Sequence, residues 1–192
     1  IEDGIVIYFP ASPVNCTGHG HLREPKDIMS YSSLAAIAIQ SNQNDQHGGQ
    51  SIPAFDYYMA PGVLKTFKKQ FKQQIYDLLD YSDLLSFINI DRIVREIDKL
   101  NSIEFDIEIF EPIYKESKSI KRMFEKSYEK AIQKTNRTTY QAMEAFVHNL
   151  NTMHSRAGAQ VPFSSINLGT DTSAEGRMVI KNFFELLFMR VL

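Results

Sequence analysis

Apolar residues recur with a helical period over most of this chain, and the interruptions mark a few short extended stretches between helices. Residues 5–9 (I-V-I-Y-F) are β-branched and aromatic, lie between Gly4 and Pro10, and read as a short buried strand. Pro10, Pro13, Gly18, Gly20 and Pro25 then keep residues 10–26 irregular. Asp27 is placed to cap a helix whose small and apolar positions gather around Leu34, Ile37 and Ala38. Its exit is polar, through Gln40, Asn42, Gln43 and Asn44. Pro61 and Gly62 predict a break before the next helix, where Val63, Phe67, Phe71, Ile75 and Leu78 form one stripe and Lys65, Lys68, Lys69 and Lys72 fall off it.

Beyond residue 81 the pattern is less regular. Ile93, Val94, Ile97 and Leu100 predict a short helix, and residues 103–110 (I-E-F-D-I-E-I-F) alternate as an edge strand or extended arm would, with Glu104, Asp106 and Glu108 on the wet side. A second long helix is expected from about Ile113 to Met153, with a break near Asn136, carrying Met123, Phe124, Tyr128, Ala131, Ile132, Thr139, Met143, Phe146 and Leu150 at helical spacing. Two such helices pack as an antiparallel pair whose remaining apolar surface another subunit can cover. A strand with a loop at each end follows within residues 154–171, and Thr172-Ser173-Ala174-Glu175 reads as a capping box opening a last helix through Met178, Val179, Phe183, Phe184, Leu187 and Phe188. The chain thus divides into a strand and turn-rich entry (1–26), a helical region (27–153) and a strand, loop and helix (154–192).

The most chemically specific stretch is residues 154–171, H-S-R-A-G-A-Q-V-P-F-S-S-I-N-L-G-T-D. Arg156 and Gly158 precede the strand; Asn167, Gly169, Thr170 and Asp171 follow it, polar or φ-permissive types suited to holding a charged ligand on backbone amides. The adjoining helix N-terminus favours an anion or phosphate. The Gly48-Gly49 pair is either a helix cap and turn, or a close backbone approach to a ligand with Gln50 and Ser51 supplying hydrogen bonds. The lysine-rich face is either a solvated surface or, at Lys65 and Lys68, a phosphate contact.

Composition narrows this picture. With 192 residues and 43% hydrophobic content the chain holds one good core and an extension. A net charge of -2 and a pI near 6.2 give no global attraction to nucleic acid or an anionic membrane, so any anion site is local. No apolar run approaches the roughly 20 residues that span a bilayer, and no basic secretion signal opens the chain. A cytoplasmic location is expected, and the sequon at Asn136-Arg137-Thr138 is then a chance match. Cys16 is the one cysteine, which excludes an internal disulfide and a Cys-rich zinc site; His19 and His21 lack a third ligand, so no metal is expected. The absence of an initial Met and the apolar run at residues 186–192 are what a piece of a larger protein would show.

Residues 47–56 (H-G-G-Q-S-I-P-A-F-D) and 151–171 (N-T-M-H-S-R-A-G-A-Q-V-P-F-S-S-I-N-L-G-T-D) resemble the large catalytic subunit of the anaerobic, class III, glycyl-radical ribonucleoside-triphosphate reductases. The similarity runs from about Thr17 to near the C-terminus. It implies an α/β fold, a fragment of a ten-stranded barrel dominated by long helices with few strands. In the family those helices form the homodimer contact and help bind an allosteric nucleoside triphosphate, and a radical-SAM enzyme installs the glycyl radical. A cysteine thiyl radical then takes hydrogen from ribose, with formate as the common reductant. The resemblance puts His47, Gly48, Gly49, Gln50 and Ser51, and the turn holding Arg156, Gly158 and Gln160, near nucleotide or the barrel mouth. Asn167, Gly169, Thr170 and Asp171 fall on the loop joining effector and substrate sites.

The match has departures. The family's hydrogen-donating cysteine precedes the turn that resembles residues 16–25, where this chain has I-V-I-Y-F-P-A-S-P-V-N. Cys16 sits in the turn itself and reads as an ordinary free thiol. The finger-loop cysteine and the radical glycine would lie beyond Leu192, so this chain alone is expected not to reduce ribonucleotides. Three readings stand: an effector-binding, dimer-forming segment of the enzyme, a stand-alone nucleotide-binding regulatory module, and a helical interaction protein.

Overall fold

The computed structural model describes residues 24–45, 48–81, 90–114, 117–152, 161 and 163–189. The strand expected at residues 5–9 and most of the turn-rich entry lie outside them. The elements are α1 (Ile28–Asp45), β1 (Gln50–Ile52), α2 (Phe55–Tyr81), α3 (Ile90–Lys99), a 3-10 turn (Ile107–Phe110), α4 (Glu111–Tyr114), α5 (Lys118–Thr152), β2 (Ser164–Ile166) and α6 (Ala174–Met189). They form two compact units. One contains Ile1–Val63 and Thr138–Leu192, the other Leu64–Arg137. Among the described residues, no helix is long and apolar enough to cross a membrane.

In the first unit β1 and β2 pair in parallel, with Gln50 opposite Ser164, Ser51 opposite Ser165 and Ile52 opposite Ile166. Each strand feeds a helix, β1 into α2 and β2 into α6, the arrangement of an α/β fold in which parallel strands need long crossovers. Asp27 caps α1, its Oδ1 accepting from the Ser30 amide at 2.9 Å and the Ser30 hydroxyl at 2.7 Å. The inner face of α1 is Ile28, Ala35, Ala36 and Ile39, so the helix forms where expected, but Ile37 points outward at 42% exposure. That face packs with Phe55, Met59 and Val63 of α2, Ala142, Met143 and Phe146 of α5, and Val179, Phe183 and Leu186 of α6. The Phe55 ring sits 4.9 Å from Phe146 and 6.1 Å from Phe183.

The break expected at Pro61-Gly62 does not occur; α2 runs through both. Pro61 removes one backbone hydrogen bond at a cost of about 3 kcal/mol. Its position is exposed, while Met59 and Val63 on either side are fully buried and hold the helix together. Gly62 has a packing reason. A Cβ there would lie 2.9 Å from the Tyr31 ring and 3.2 Å from the Ile28 Cα, so its absence lets α1 and α2 approach closely.

The second unit is organised by aromatic rings. Phe67 and Phe71 of α2, Phe105, Phe110, and Phe124 and Tyr128 of α5 form a connected cluster with centroid separations from 5.2 to 6.3 Å. This cluster overturns the edge strand expected at residues 103–110. Instead of an extended ladder, Ser102 Oγ accepts from the Glu104 amide and Asp106 Oδ1 accepts from the Glu108 amide, bending the segment into the 3-10 turn. Ile103 and Phe110 are thereby buried and Ile109 is left outside. Side-chain caps of this kind compete directly with strand pairing. The break anticipated near Asn136 is also absent: α5 is continuous, since Ala131, Thr135, Thr139, Ala142 and Met143 keep one buried face through that point.

Tyr128 donates its hydroxyl to the Ile103 carbonyl at 3.1 Å. Burial, and secondarily the Glu104 carboxylate, raise its pKa above the ordinary value. The folded state therefore holds the phenol proton more tightly than the unfolded chain. The associated stability is full below the unfolded value near pH 10 and is lost as pH climbs through the folded value. Tyr128→Phe should flatten the alkaline limb of a plot of unfolding midpoint against pH; superimposable limbs would contradict this assignment.

Candidate functional site: the strand pair and its loops

The parallel pair brings the two motif segments together. Gly48 has a φ of +102°, in the region open chiefly to glycine. A Cβ on Gly49 would lie 3.3 Å from the Phe163 carbonyl, which accepts from the Gln50 amide at 2.8 Å. The pair thus serves as turn and as close approach, and the approach is to β2. At the far end the Asn167 amide donates to the Ile52 carbonyl at 3.1 Å, and the Phe55 amide to the Asn167 carbonyl at 2.9 Å. Ala54 bends the chain into α2 with a φ of 51°, unusual for a residue with a Cβ.

Asp56, in the first turn of α2, is fully buried. Its Oδ2 accepts from the Gly169 amide at 3.0 Å and the Asp171 amide at 2.8 Å. Its Oδ1 has no partner among the described residues. The positive end of the α2 dipole favours a carboxylate here. Gly169, with φ of +96°, gives the loop the curvature that aims both amides at one oxygen. Asp171 continues the chain of contacts: Oδ1 accepts from the Ser173 amide and Oδ2 from the Ser173 hydroxyl, each at 2.8 Å. Ser173 Oγ accepts from the Gly176 amide at 3.0 Å. Gly176 is small because a Cβ there would lie 2.7 Å from the Asp171 carboxylate.

A cavity of about 320 Å³ opens between α1 and β1, lined by Ala38, Ile39, Asn42, Gln50, Ser51, Ile52, Pro53 and Tyr58. Among the described residues, no charged side chain lines it. The Asn42 Oδ1 is buried and has no hydrogen-bond partner among the described residues.

The profile of the family described as anaerobic ribonucleoside-triphosphate reductase matches residues 15–190, spanning both strands, both loops and the cavity. The chain belongs to the anaerobic ribonucleoside-triphosphate reductase family. A comparison with curated proteins finds no match. In this reductase family member the strand pair that Gln50 and Ser51 help form has Gly49 at one end, beside Phe163, and the loop of Asn167, Gly169, Thr170 and Asp171 at the other. There Asn167 meets Ile52 and Phe55, and Asp56 holds Gly169 and Asp171, all within one unit. His47, Arg156, Gly158, Gln160 and Cys16 lie outside the described residues.

Lys65 and Lys68 belong to the other unit. Lys68 donates to the Asp98 carbonyl at 2.8 Å, beside a Lys72–Asp98 ion pair at 2.6 Å. Its pKa is lowered, first by burial, against the attraction of Asp98 and with the help of Lys72. The expected use of the loop and the α6 N-terminus as an anion cradle needs correction in its detail. The amides of Gly169, Asp171, Ser173 and Gly176 already hold oxygens of Asp56, Asp171 and Ser173. The cap is Ser173 with Gly176 three residues on, rather than the Thr172–Glu175 box.

Asp56, Asn42 and Tyr58 were absent from the sequence-derived candidates. An acidic residue in the first turn after a strand is a visible signal for Asp56; for Asn42 only the spacing of one helical turn from Ala38 points to a shared face, and for Tyr58 the sequence carries no such signal.

Proposed function

We propose that this chain is the effector-binding and dimer-forming part of an anaerobic ribonucleoside-triphosphate reductase, a piece of the family's ten-stranded barrel, and does not reduce ribonucleotides by itself. Its partners are nucleoside triphosphates, a second copy of itself and, in the complete enzyme, the radical-SAM activase; glycyl radical and formate belong to that complete enzyme in the cytoplasm. One observation carries the reading. Asp56, which ends the H-G-G-Q-S-I-P-A-F-D motif, grips the backbone of Gly169 and Asp171 in the second motif, so the two segments move as one. A nucleotide that shifts either segment must act on the other through that carboxylate, as a loop communicating effector identity to a substrate site requires.

The test is calorimetric titration of the chain with ATP, dATP, dGTP and dTTP, alongside hydrogen exchange across residues 167–173. Binding of at least one nucleotide with altered exchange in that loop is expected, in a sample that light scattering shows to be dimeric. A folded chain that binds none of them overturns the reading. Lys65→Ala and Lys68→Ala should weaken the bound nucleotide if either ammonium meets its phosphates, and unchanged affinity in both removes them from the site.

A further inference from the structure

We infer that the exposed cationic face of α5 is a docking surface for an acidic helix of a partner protein. Seven cations and two carboxylates fall between Lys118 and Arg137, a local charge of +5 in a chain whose total is -2. Six of the cations, Lys118, Arg122, Lys126, Lys130, Lys134 and Arg137, are exposed and follow one another at steps of four or three residues, so they form one ridge along the helix. The ridge lies wholly within the unit of residues 64–137. From Arg122 to Arg137 it extends about 22 Å at the helical rise.

Such a ridge works against its own helix. Like charges one turn apart repel, and four such steps follow in a row from Lys118 to Lys134. Lys118 and Lys121 also stand in the first turn, at the positive end of the helix dipole, with no acidic residue there to offset them. Lys121, off the ridge, meets Glu108 at 3.7 Å. Among the described residues Lys118, Arg122, Lys126, Lys130 and Arg137 make no ion pair, although Glu125 and Glu129 share their helix. A helix built only for solubility interleaves both signs, which stabilises it. A ridge of one sign is the complement of a partner of the other. Its geometry selects a helical polypeptide. Rows at four-residue spacing are what packed helices present to each other, and carboxylates one turn apart on a partner repeat at about 6 Å, the spacing of these cations. A single triphosphate spans only a fraction of the ridge. Nucleic acid is drawn by the field of a whole protein, which here is net negative.

The double variant Lys126→Glu, Lys130→Glu separates binding from folding. It places opposite charges beside Arg122 and Lys134, so its unfolding midpoint should equal or exceed that of wild type. The probe is a labelled helical peptide of about 20 residues with glutamates one turn apart, followed by fluorescence anisotropy with the whole chain. A peptide of the same composition with its glutamates scattered around the helix is the control. Wild type should bind the aligned peptide at least tenfold more tightly than the scattered one, with affinity falling as salt rises, and the double variant should lose that preference. Equal affinity for the two peptides, or no binding of either, overturns the proposal. Tighter binding of an oligodeoxythymidine or of ATP that the double variant abolishes also overturns it, by making the ridge a phosphate surface. Conversion of a dimer to a monomer in the double variant, read by light scattering, overturns it by making the occupant a second copy.

Discussion

Replacing Asp56 by alanine should destabilise the protein by about 3 kcal/mol and release the loop from Asn167 to Ser173. The estimate follows from what the carboxylate does. Two backbone amides, those of Gly169 and Asp171, donate to its Oδ2 at 3.0 and 2.8 Å. Hydrogen bonds to a charged acceptor contribute about 1.5–3 kcal/mol each, and the alanine variant leaves both amides facing a small void. Against this stands relief from burying a carboxylate whose second oxygen has no partner among the described residues. Asp56→Asn keeps one oxygen to receive both amides and removes the charge, so its loss should stay within about 1 kcal/mol. Chemical denaturation gives the energies, and hydrogen exchange at Gly169 and Asp171 gives the local effect. Equal protection of those amides in wild type and Asp56→Ala would show that the carboxylate does not hold the loop.

Asp56 also shows where reading a sequence stops. Its place in the first turn of a helix after a strand was visible, but its partners lie 113 and 115 residues away. No local pattern encodes which loop will arrive. The cavity escaped for a related reason, because an unfilled space is defined by atoms that are absent, and Asn42 looked like part of a polar helix exit. The helices were legible wherever burial follows a period: Ile93, Ile97 and Leu100 are all buried as their spacing implied, and Asp27 caps α1 through its carboxylate.

Legibility failed in the opposite direction at residues 103–110. Alternation of apolar and acidic residues was real, yet it described no strand. Asp106 serves as a cap within the chain, and Phe105 and Phe110 are drawn into a ring cluster with Phe71 of α2. Pro61 misled similarly: a local penalty of about 3 kcal/mol predicts a break only where no packing opposes it. The resemblance was read from motifs at two separated places, and the parallel pairing of Gln50–Ile52 with Ser164–Ile166 gives those motifs a common structural reason. Gly48, Gly49 and Gly169 are glycines for backbone geometry and close approach, which is why they are legible as unusual without disclosing a ligand.

The ring cluster yields the second large effect. Phe71→Ala should cost about 3–5 kcal/mol and abolish cooperative unfolding of the unit formed by residues 64–137. Phe71 is fully buried, with its centroid 5.6 Å from Phe67, 5.9 Å from both Phe105 and Phe110, and 6.3 Å from Tyr128. Truncation removes a ring that touches each of the segments meeting there, and the neighbours cannot all close on one void. Because Phe105 and Phe110 lie in the segment that a strand pattern described, their release should also free residues 107–110 from the 3-10 turn. Near-ultraviolet circular dichroism should lose its aromatic signal, and Tyr128 should ionise closer to its ordinary value as its burial is undone. Tyr76→Ala, at an exposed position on the same helix, supplies the control, with a change near 0.5 kcal/mol or less. Similar losses from the two variants would mean that the helix, rather than the ring cluster, carries this unit's stability.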